Sequence, residues 1–379
     1  MNLRIRLALL YLAILAVAVA AGACAPQHQA GDDDAAPAAE DDDNDASPGG
    51  YDDDNDNDDD NDDASPADDD DDNDDDFVWS PMSGDFPDLW GVWGTSHDDV
   101  FAVGRTYPGD VEAIMHYDGS NWSAMPCGDV RQTLYSVWGS SSSDVFAVGY
   151  LSTVVHYDGS SWSAMANLRN YDWYSVWGAS PTDVYAVGGP HANLPFGAIM
   201  HYDGNAWSLM PAVPPYLSAV WGTSGSDIFA GGVVLDNGEG PILHYNGLFW
   251  RPMRAGTFLG NVVGFWGMSH SDVFAIGGNS QNGAIIHYDG SSWSAMQCDA
   301  PACGGNAVWG ASHSDVFAVA GDSNNYGAIL HYDGSSWSVM ESGLPVLFNV
   351  WGASPSDVFA VGFDFFSDAG VIYHYGPPQ

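Results

Sequence analysis

Val92-Trp93-Gly94-Thr95-Ser96-His97-Asp98-Asp99-Val100-Phe101-Ala102-Val103-Gly104, followed by Ile114-Met115-His116-Tyr117-Asp118-Gly119-Ser120-Asn121-Trp122-Ser123-Ala124-Met125, is a unit that returns to the end of the chain. The Trp-Gly step recurs at Trp93, Trp138, Trp177, Trp221, Trp266, Trp309 and Trp351, seven copies spaced 45, 39, 44, 45, 43 and 42 residues apart. A period in the low forties made of short strand-like segments is the period of a propeller blade. A His-Tyr step follows in every copy, at His116, His156, His201, His244, His287, His331 and His374. A Trp-x-x-Met follows the first six copies, and the seventh lacks it after Tyr375. Trp79-Ser80-Pro81-Met82 has that spacing but precedes the first Trp-Gly. It is therefore expected to supply the outer strand of the seventh blade, closing the ring without a covalent link and leaving no open sheet edge. The fold expected is all-β: a seven-bladed β-propeller of four-stranded antiparallel blades over residues 77–379.

Within a copy, Ser136-Val137-Trp138-Gly139 reads as a short innermost strand and Asp144 to Gly149 as a second. Thr153 to Tyr157 reads as a third and Trp162 to Met165 as the outer one. Apolar residues fall on both faces of the second strand, as they must when each blade is packed between two others. Asp158-Gly159 and its equivalents are hairpin turns, with Asn246-Gly247 in the fourth blade.

The rest of the chain divides by composition. The formal net charge is −44, and 25 of the 51 acidic residues lie between Gly31 and Asp76. The ring keeps 26 acidic residues against five arginines, a net charge of −21, and the chain has no lysine. A surface of that sign repels phosphate backbones, so nucleic acid is not an expected partner. Residues 24–76, rich in Asp and Asn with Ala, Ser, Pro and Gly, cannot bury a core; they are expected to form a disordered acidic tether, roughly 170 Å long at full extension. Weak association of divalent cations with the tether is the only cofactor-like behaviour expected, because its acidic runs lack the turn glycine of a calcium loop.

Residues 1–23 carry Arg4 and Arg6, an apolar run from Leu7 to Ala20, and Ala21-Gly22-Ala23 before Cys24. This reads as a signal peptide. Ala-Gly-Ala-Cys resembles a bacterial lipobox, although Ala21 stands where leucine is usual; the resemblance implies lipid on Cys24 and a membrane anchor. The expected location is a bacterial outer membrane or cell surface, with the ring in the periplasm or outside.

Val-Trp-Gly, Asp-Val-Phe-Ala-Val-Gly and Ile-x-His-Tyr-Asp-Gly-Ser-Ser-Trp together resemble the Asp-box propeller repeat of bacterial sialidase-type and photosystem II assembly-factor-like proteins. The likeness to kelch repeats is looser. The resemblance covers residues 77–379, and it departs from the family pattern after Asp-Gly, where serine replaces a second glycine. It implies the fold and leaves the activity open.

Repeated residues are expected to be structural, because each sits at the same radius seven times. The aspartates Asp99, Asp144, Asp183, Asp227, Asp272, Asp315 and Asp357 are expected to bond turn amides, with His-Tyr and the tryptophans packing between blades. No metal site and no catalytic residue is expected. Function is placed where the copies differ, in the connections after the second and fourth strands, which emerge on one face. The candidate residues there are Arg105, Tyr107, Arg131, Arg169, Trp173, Phe196, Tyr216, Tyr326 and Phe365. Cys298 and Cys303 are expected to form a disulfide in one of these loops, with Cys127 left odd. The leading function is a non-catalytic binding module for a protein or carbohydrate ligand. The alternative is a glycan-active enzyme of sialidase type, in which Arg105, Arg131 and Arg169 would hold a carboxylate.

Overall fold

The computed structural model describes residues 77–106, 111–128, 130–165, 171–191, 196–211, 216–233, 242–255, 260–278, 283–298, 304–321 and 326–377. Among them, seven separate four-stranded antiparallel sheets form a seven-bladed β-propeller. Blade 1 runs outward through Asp88–Ser96, Asp99–Thr106, Val111–Tyr117 and Trp122–Ala124. Blade 7 is built from Val346–Ser354, Asp357–Asp364 and Ala369–Gly376, and its outer strand is Val78–Pro81. Trp79 pairs with Tyr375 there, the register in which Trp122 meets Tyr117 and Trp162 meets Tyr157. The strand expected to close the ring does so.

The core lies between blades. Phe101, Phe146, Tyr185, Phe229, Phe274, Phe317 and Phe359, the third residue of each second strand, are all at most 3% exposed. Phe101 shares a cluster with Leu134, Val137 and Val145 of blade 2, and Phe359 shares one with Leu89, Val92 and Val100 of blade 1. Each such ring contributes about 1.5–3 kcal/mol by leaving water.

The Trp-Gly step owes its two residues to this seam. Trp93 lies over Gly139, Trp138 over Gly178, and so on round to Trp309 over Gly352 and Trp351 over Gly94. A Cβ at Gly139 would sit 2.5 Å from the Trp93 ring, so only glycine admits the neighbour's indole. At the rim of four seams, the outer indole of one blade donates to the methionine sulfur of the blade before it. Trp122 Nε1 reaches Met82 Sδ at 3.2 Å, Trp207 reaches Met165 at 3.3 Å, and Trp250 reaches Met210 at 3.4 Å. The closure between blades 7 and 1 thus uses the Trp-Gly contact of every seam and the indole–methionine bond it shares with three others.

The aspartates change places relative to expectation. Turn amides are bonded by the aspartate of Asp-Gly: Asp158 Oδ1 accepts from Ser160 N at 2.9 Å and Ser161 N at 2.8 Å. The Ser160 hydroxyl, followed by those amides, holds its carboxyl down at about 2. The aspartate that opens the second strand instead receives the histidine of its own blade. Asp144 Oδ1 meets His156 Nε2 at 2.6 Å, and Asp99 meets His116 at 2.8 Å. The pair recurs at Asp183–His201, Asp227–His244, Asp272–His287, Asp315–His331 and Asp357–His374. With its nitrogen so fixed, each imidazole lies against the core ring beside it; Phe146 and His156 have centroids 4.5 Å apart. The carboxylate is a within-blade anchor for histidine because third-strand His and second-strand Phe face each other in the ladder.

Candidate aromatic binding face

Six of the seven second strands carry glycine at their sixth position, and it determines what the inner strand displays. A Cβ at Gly104 would fall on the carbonyl oxygen of Asp88, and Gly149, Gly188, Gly232, Gly277 and Gly362 meet the equivalent carbonyls. This close approach accompanies a bulge in the inner strand, so that Trp90 lies between paired residues Leu89 and Gly91. The same irregularity falls at Tyr135, at Tyr174 and at Phe348. Blade 6 has Ala320 at the sixth position and no register shift there.

The bulged residues meet across blade boundaries at the loop-side ends of the inner strands. Phe348 stacks on Trp90 at 4.5 Å with planes 3° apart. Trp90 then meets the edge of Tyr135 at 5.9 Å, Tyr135 stacks on Tyr174 at 5.4 Å, and Tyr174 meets Tyr216 at 5.3 Å. The Tyr216 hydroxyl donates to that of Tyr174. Phe363 and Phe365 join the blade 7 end, 5.0 Å apart and perpendicular. The result is an aromatic arc spanning blades 7, 1, 2, 3 and 4. Burial, with Tyr174 and Asp172 adding to it, pushes the Tyr135 hydroxyl well above the ordinary phenol value. Tyr135 is therefore a neutral phenol throughout the physiological range.

A buried polar layer supports the arc. Asp88, directly before Leu89-Trp90, is 5% exposed and takes Arg105 Nε at 3.0 Å. Its counterpart Asp172, 6% exposed, accepts the Leu151 amide at 2.8 Å and faces His191 Nδ1 at 3.2 Å. That amide bond crosses from blade 3 to blade 2, where Leu151 and Ser152 hold left-handed φ values of 52° and 64°. Non-glycine residues stay there only where surroundings over-determine them. Leu151, 41% exposed, lines a cleft of about 570 Å³ with Cys127, Arg131, Gln132 and Met165.

The predicted site residues divide accordingly. Arg131 is exposed at the cleft. Phe196 is 52% exposed, and Tyr326, 47% exposed, pairs with Phe366 at 5.5 Å. Tyr216 and Phe365 belong to the arc and its end. Two expectations are corrected. Arg105 is no loop cation but a second-strand residue whose charge is spent on Asp88 in the interior, and Trp173, 0% exposed, fills the core of blade 3 where blades 1 and 2 use Leu89 and Leu134. Tyr107, Arg169, Cys303 and Cys24 lie outside the described residues. Cys298 is disulfide-bonded, and Cys127 is buried in the seam of blades 1 and 2. Sequence reasoning missed Trp90, Tyr135, Tyr174 and Phe348. Their signal is the third position before each Trp-Gly tryptophan, which is aromatic in four copies and Ser218, Val263 or Asn306 in the others.

The arc is interior, with Trp90 and Phe348 8% exposed and Phe363 4% exposed, so ring contact with a ligand falls to the exposed Phe196, Tyr326 and Phe366. No protein-family model and no curated protein matches the chain. Among solved structures, it is similar to YCF48 bound to D1 peptide, with a TM-score of 0.60, 14% identity, and coverage of 79% of this chain and 97% of that one. YCF48 from Cyanidioschyzon merolae gives 0.58 at 12% identity, covering 79% and 99%. The WD40 β-propeller domain of Doa1 gives 0.59 at 11% identity, covering 78% and 95%. At these identities the likeness is one of fold, and the fold it shows is the β-propeller.

Proposed function

We propose that the chain is a non-catalytic binding module that receives a protein segment on its loop face, carried at a bacterial cell envelope on an acidic tether anchored by lipid on Cys24. The observation that carries the reading is the set of exposed side chains on the loop face: Phe196, the Tyr326–Phe366 ring pair and Arg131. Exposed aromatic and arginine side chains are enriched at protein-binding surfaces, where rigid rings give contact area at low entropy cost. A propeller of the same fold solved with a peptide supports the choice of a protein segment. The anchor rests on residues 1–24 alone: the intact mass of the mature chain must show an acylated N-terminal Cys24, and an unmodified cysteine there ends that part of the reading.

Binding is tested by probing the full chain with arrays of envelope-protein peptides and of glycans. The expected outcome is peptide capture that weakens at least tenfold in Tyr326→Ala, Phe366→Ala or Arg131→Ala, with melting temperature nearly unchanged, since exposed changes usually stay within ~0.5 kcal/mol. Capture of glycans alone, or peptide binding indifferent to all three changes, overturns it. The enzymatic alternative needs three arginines to converge on a substrate carboxylate, and Arg105 is already paired with Asp88. Turnover of a fluorogenic sialoside, lost on Arg131→Ala, would restore that alternative.

A further inference from the structure

The face opposite the arc is formed by the turns that join inner to second strands and third to outer strands. At one turn position blade 2 carries Ser142, blade 3 Pro181, blade 4 Gly225 and blade 7 Pro355, whereas blades 1, 5 and 6 carry His97, His270 and His313. Each of these histidines reaches back across the seam to the aspartate of the preceding blade. His97 Nδ1 lies 2.9 Å from Asp357 Oδ1, His270 Nδ1 2.7 Å from Asp227 Oδ1, and His313 Nδ1 2.7 Å from Asp272 Oδ1. The same carboxylate oxygen already receives Nε2 of the blade's own His374, His244 or His287, at 2.7, 2.6 and 2.7 Å. In each of the three seams two imidazole nitrogens and one carboxylate oxygen lie within 4.8 Å of one another.

The geometry points to three equivalent sites for a divalent transition cation of the zinc class, one at each of the seams 7/1, 4/5 and 5/6, each tying two blades together through two histidines and one aspartate. The donor set selects the metal: imidazole suits zinc, copper and nickel, and an oxygen-seeking ion such as calcium finds only one hard ligand. Access is open, because the turn histidine side chains are 49%, 49% and 56% exposed over aspartates that are 15–16% exposed. A ring of net charge −21 concentrates cations at its surface. Ligands about 2.0–2.2 Å from a tetrahedral zinc stand somewhat over 3 Å apart, so the present contacts open by roughly half an ångström. The exposed turn side chains can give that movement. Each neutral imidazole moves its proton to its other ring nitrogen, so no proton need leave, and water completes the coordination. At Asp227 the second carboxylate oxygen is fixed by the Thr223 hydroxyl, an outer-shell bond that orients a metal-binding carboxylate.

The experiment uses the full chain and zinc alone, in excess calcium to saturate the acidic segment. Uptake is measured by equilibrium dialysis with metal analysis, and by the visible spectrum of the cobalt-substituted protein. The variants are His97→Ser, His270→Ser and His313→Ser, singly and together, serine being what blade 2 carries at this turn. Bound zinc should fall by one per histidine removed, from three per chain to none in the triple variant. The zinc-induced rise in melting temperature should vanish with it, while the metal-free variants melt within a few degrees of the parent. Equal zinc uptake by parent and triple variant, or no calcium-resistant zinc on the parent, overturns the proposal.

Discussion

Asp227 receives three donors: the Thr223 hydroxyl on one oxygen, and His244 and His270 on the other. Burial pushes its carboxyl up, but the bonds from Thr223, His244 and His270 outweigh that and hold it below the ordinary carboxylate value. The folded chain therefore binds this proton less readily than the unfolded chain does. Its contribution is present above the unfolded carboxyl value of about 4 and is lost as pH falls through the lower folded value. Asp227→Asn should cost about 1–3 kcal/mol at neutral pH. The gap in urea midpoint between parent and variant should narrow as the pH is lowered from about 5 toward 2; a gap constant over that range would show that the charge contributes nothing. That these aspartates are structural was legible, because seven equivalent copies cannot share one site. Their partners were not. Asp and His stand 12–18 residues apart in sequence, and only the second-to-third strand register brings them together.

At the scale of the strand, most of the blade was legible because its apolar pattern and Asp-Gly turns fix where each strand begins and ends. The bulge was not: the glycine at the sixth position of six second strands recurs in the sequence, but nothing in the repeat says that the carbonyl it meets belongs to a bulged inner strand. Tyr135 and Tyr174 fall between the divergent connections and the segments such as Ser136–Gly139 that read as inner strand, so neither reading singles them out, and Trp173, expected in a loop, fills the leucine position. The outer strand Val78–Pro81 makes a sharper test. Trp79 is 8% exposed against Phe317 and Tyr375, and Met82 accepts the Trp122 indole. Deleting residues 77–82 removes a buried tryptophan, in general worth about 3–5 kcal/mol when cut to alanine, and exposes the ladder edge of Ala369–Gly376. The melting temperature should fall by several degrees or more, and the shortened chain should aggregate through that edge. An unchanged melting temperature would mean that Val78–Pro81 closes nothing.

The whole ring turns that loss into a test of connectivity. All seven seams bury an aromatic ring at the same position, Phe in six blades and Tyr185 in blade 3, with the same Trp-Gly contact, so each blade is stabilised by two neighbours and a gap anywhere leaves two blades with one each. If closure depends on where the outer strand of blade 7 sits and not on which end of the chain supplies it, moving that strand should be harmless. Residues 1–76 would be joined directly to Ser83, and Trp79 to Met82 would follow Tyr375 through Asp-Gly-Ser-Ser, the turn that joins Tyr157 to Trp162 in blade 2. The register permits it, since Trp79 opposes Tyr375 just as Trp162 opposes Tyr157. The permuted chain should recover the melting temperature of the parent to within a few degrees and unfold in one transition. The cost of the new hairpin is small, because a four-residue turn closes a short loop with glycine at the position that is left-handed at Gly159. A permuted chain that melts as early as the deletion would show that the N-terminal origin of the strand matters in itself, for instance by tying blade 1 to blade 7 through Ser83 to Phe86, where Phe86 bridges Gly370.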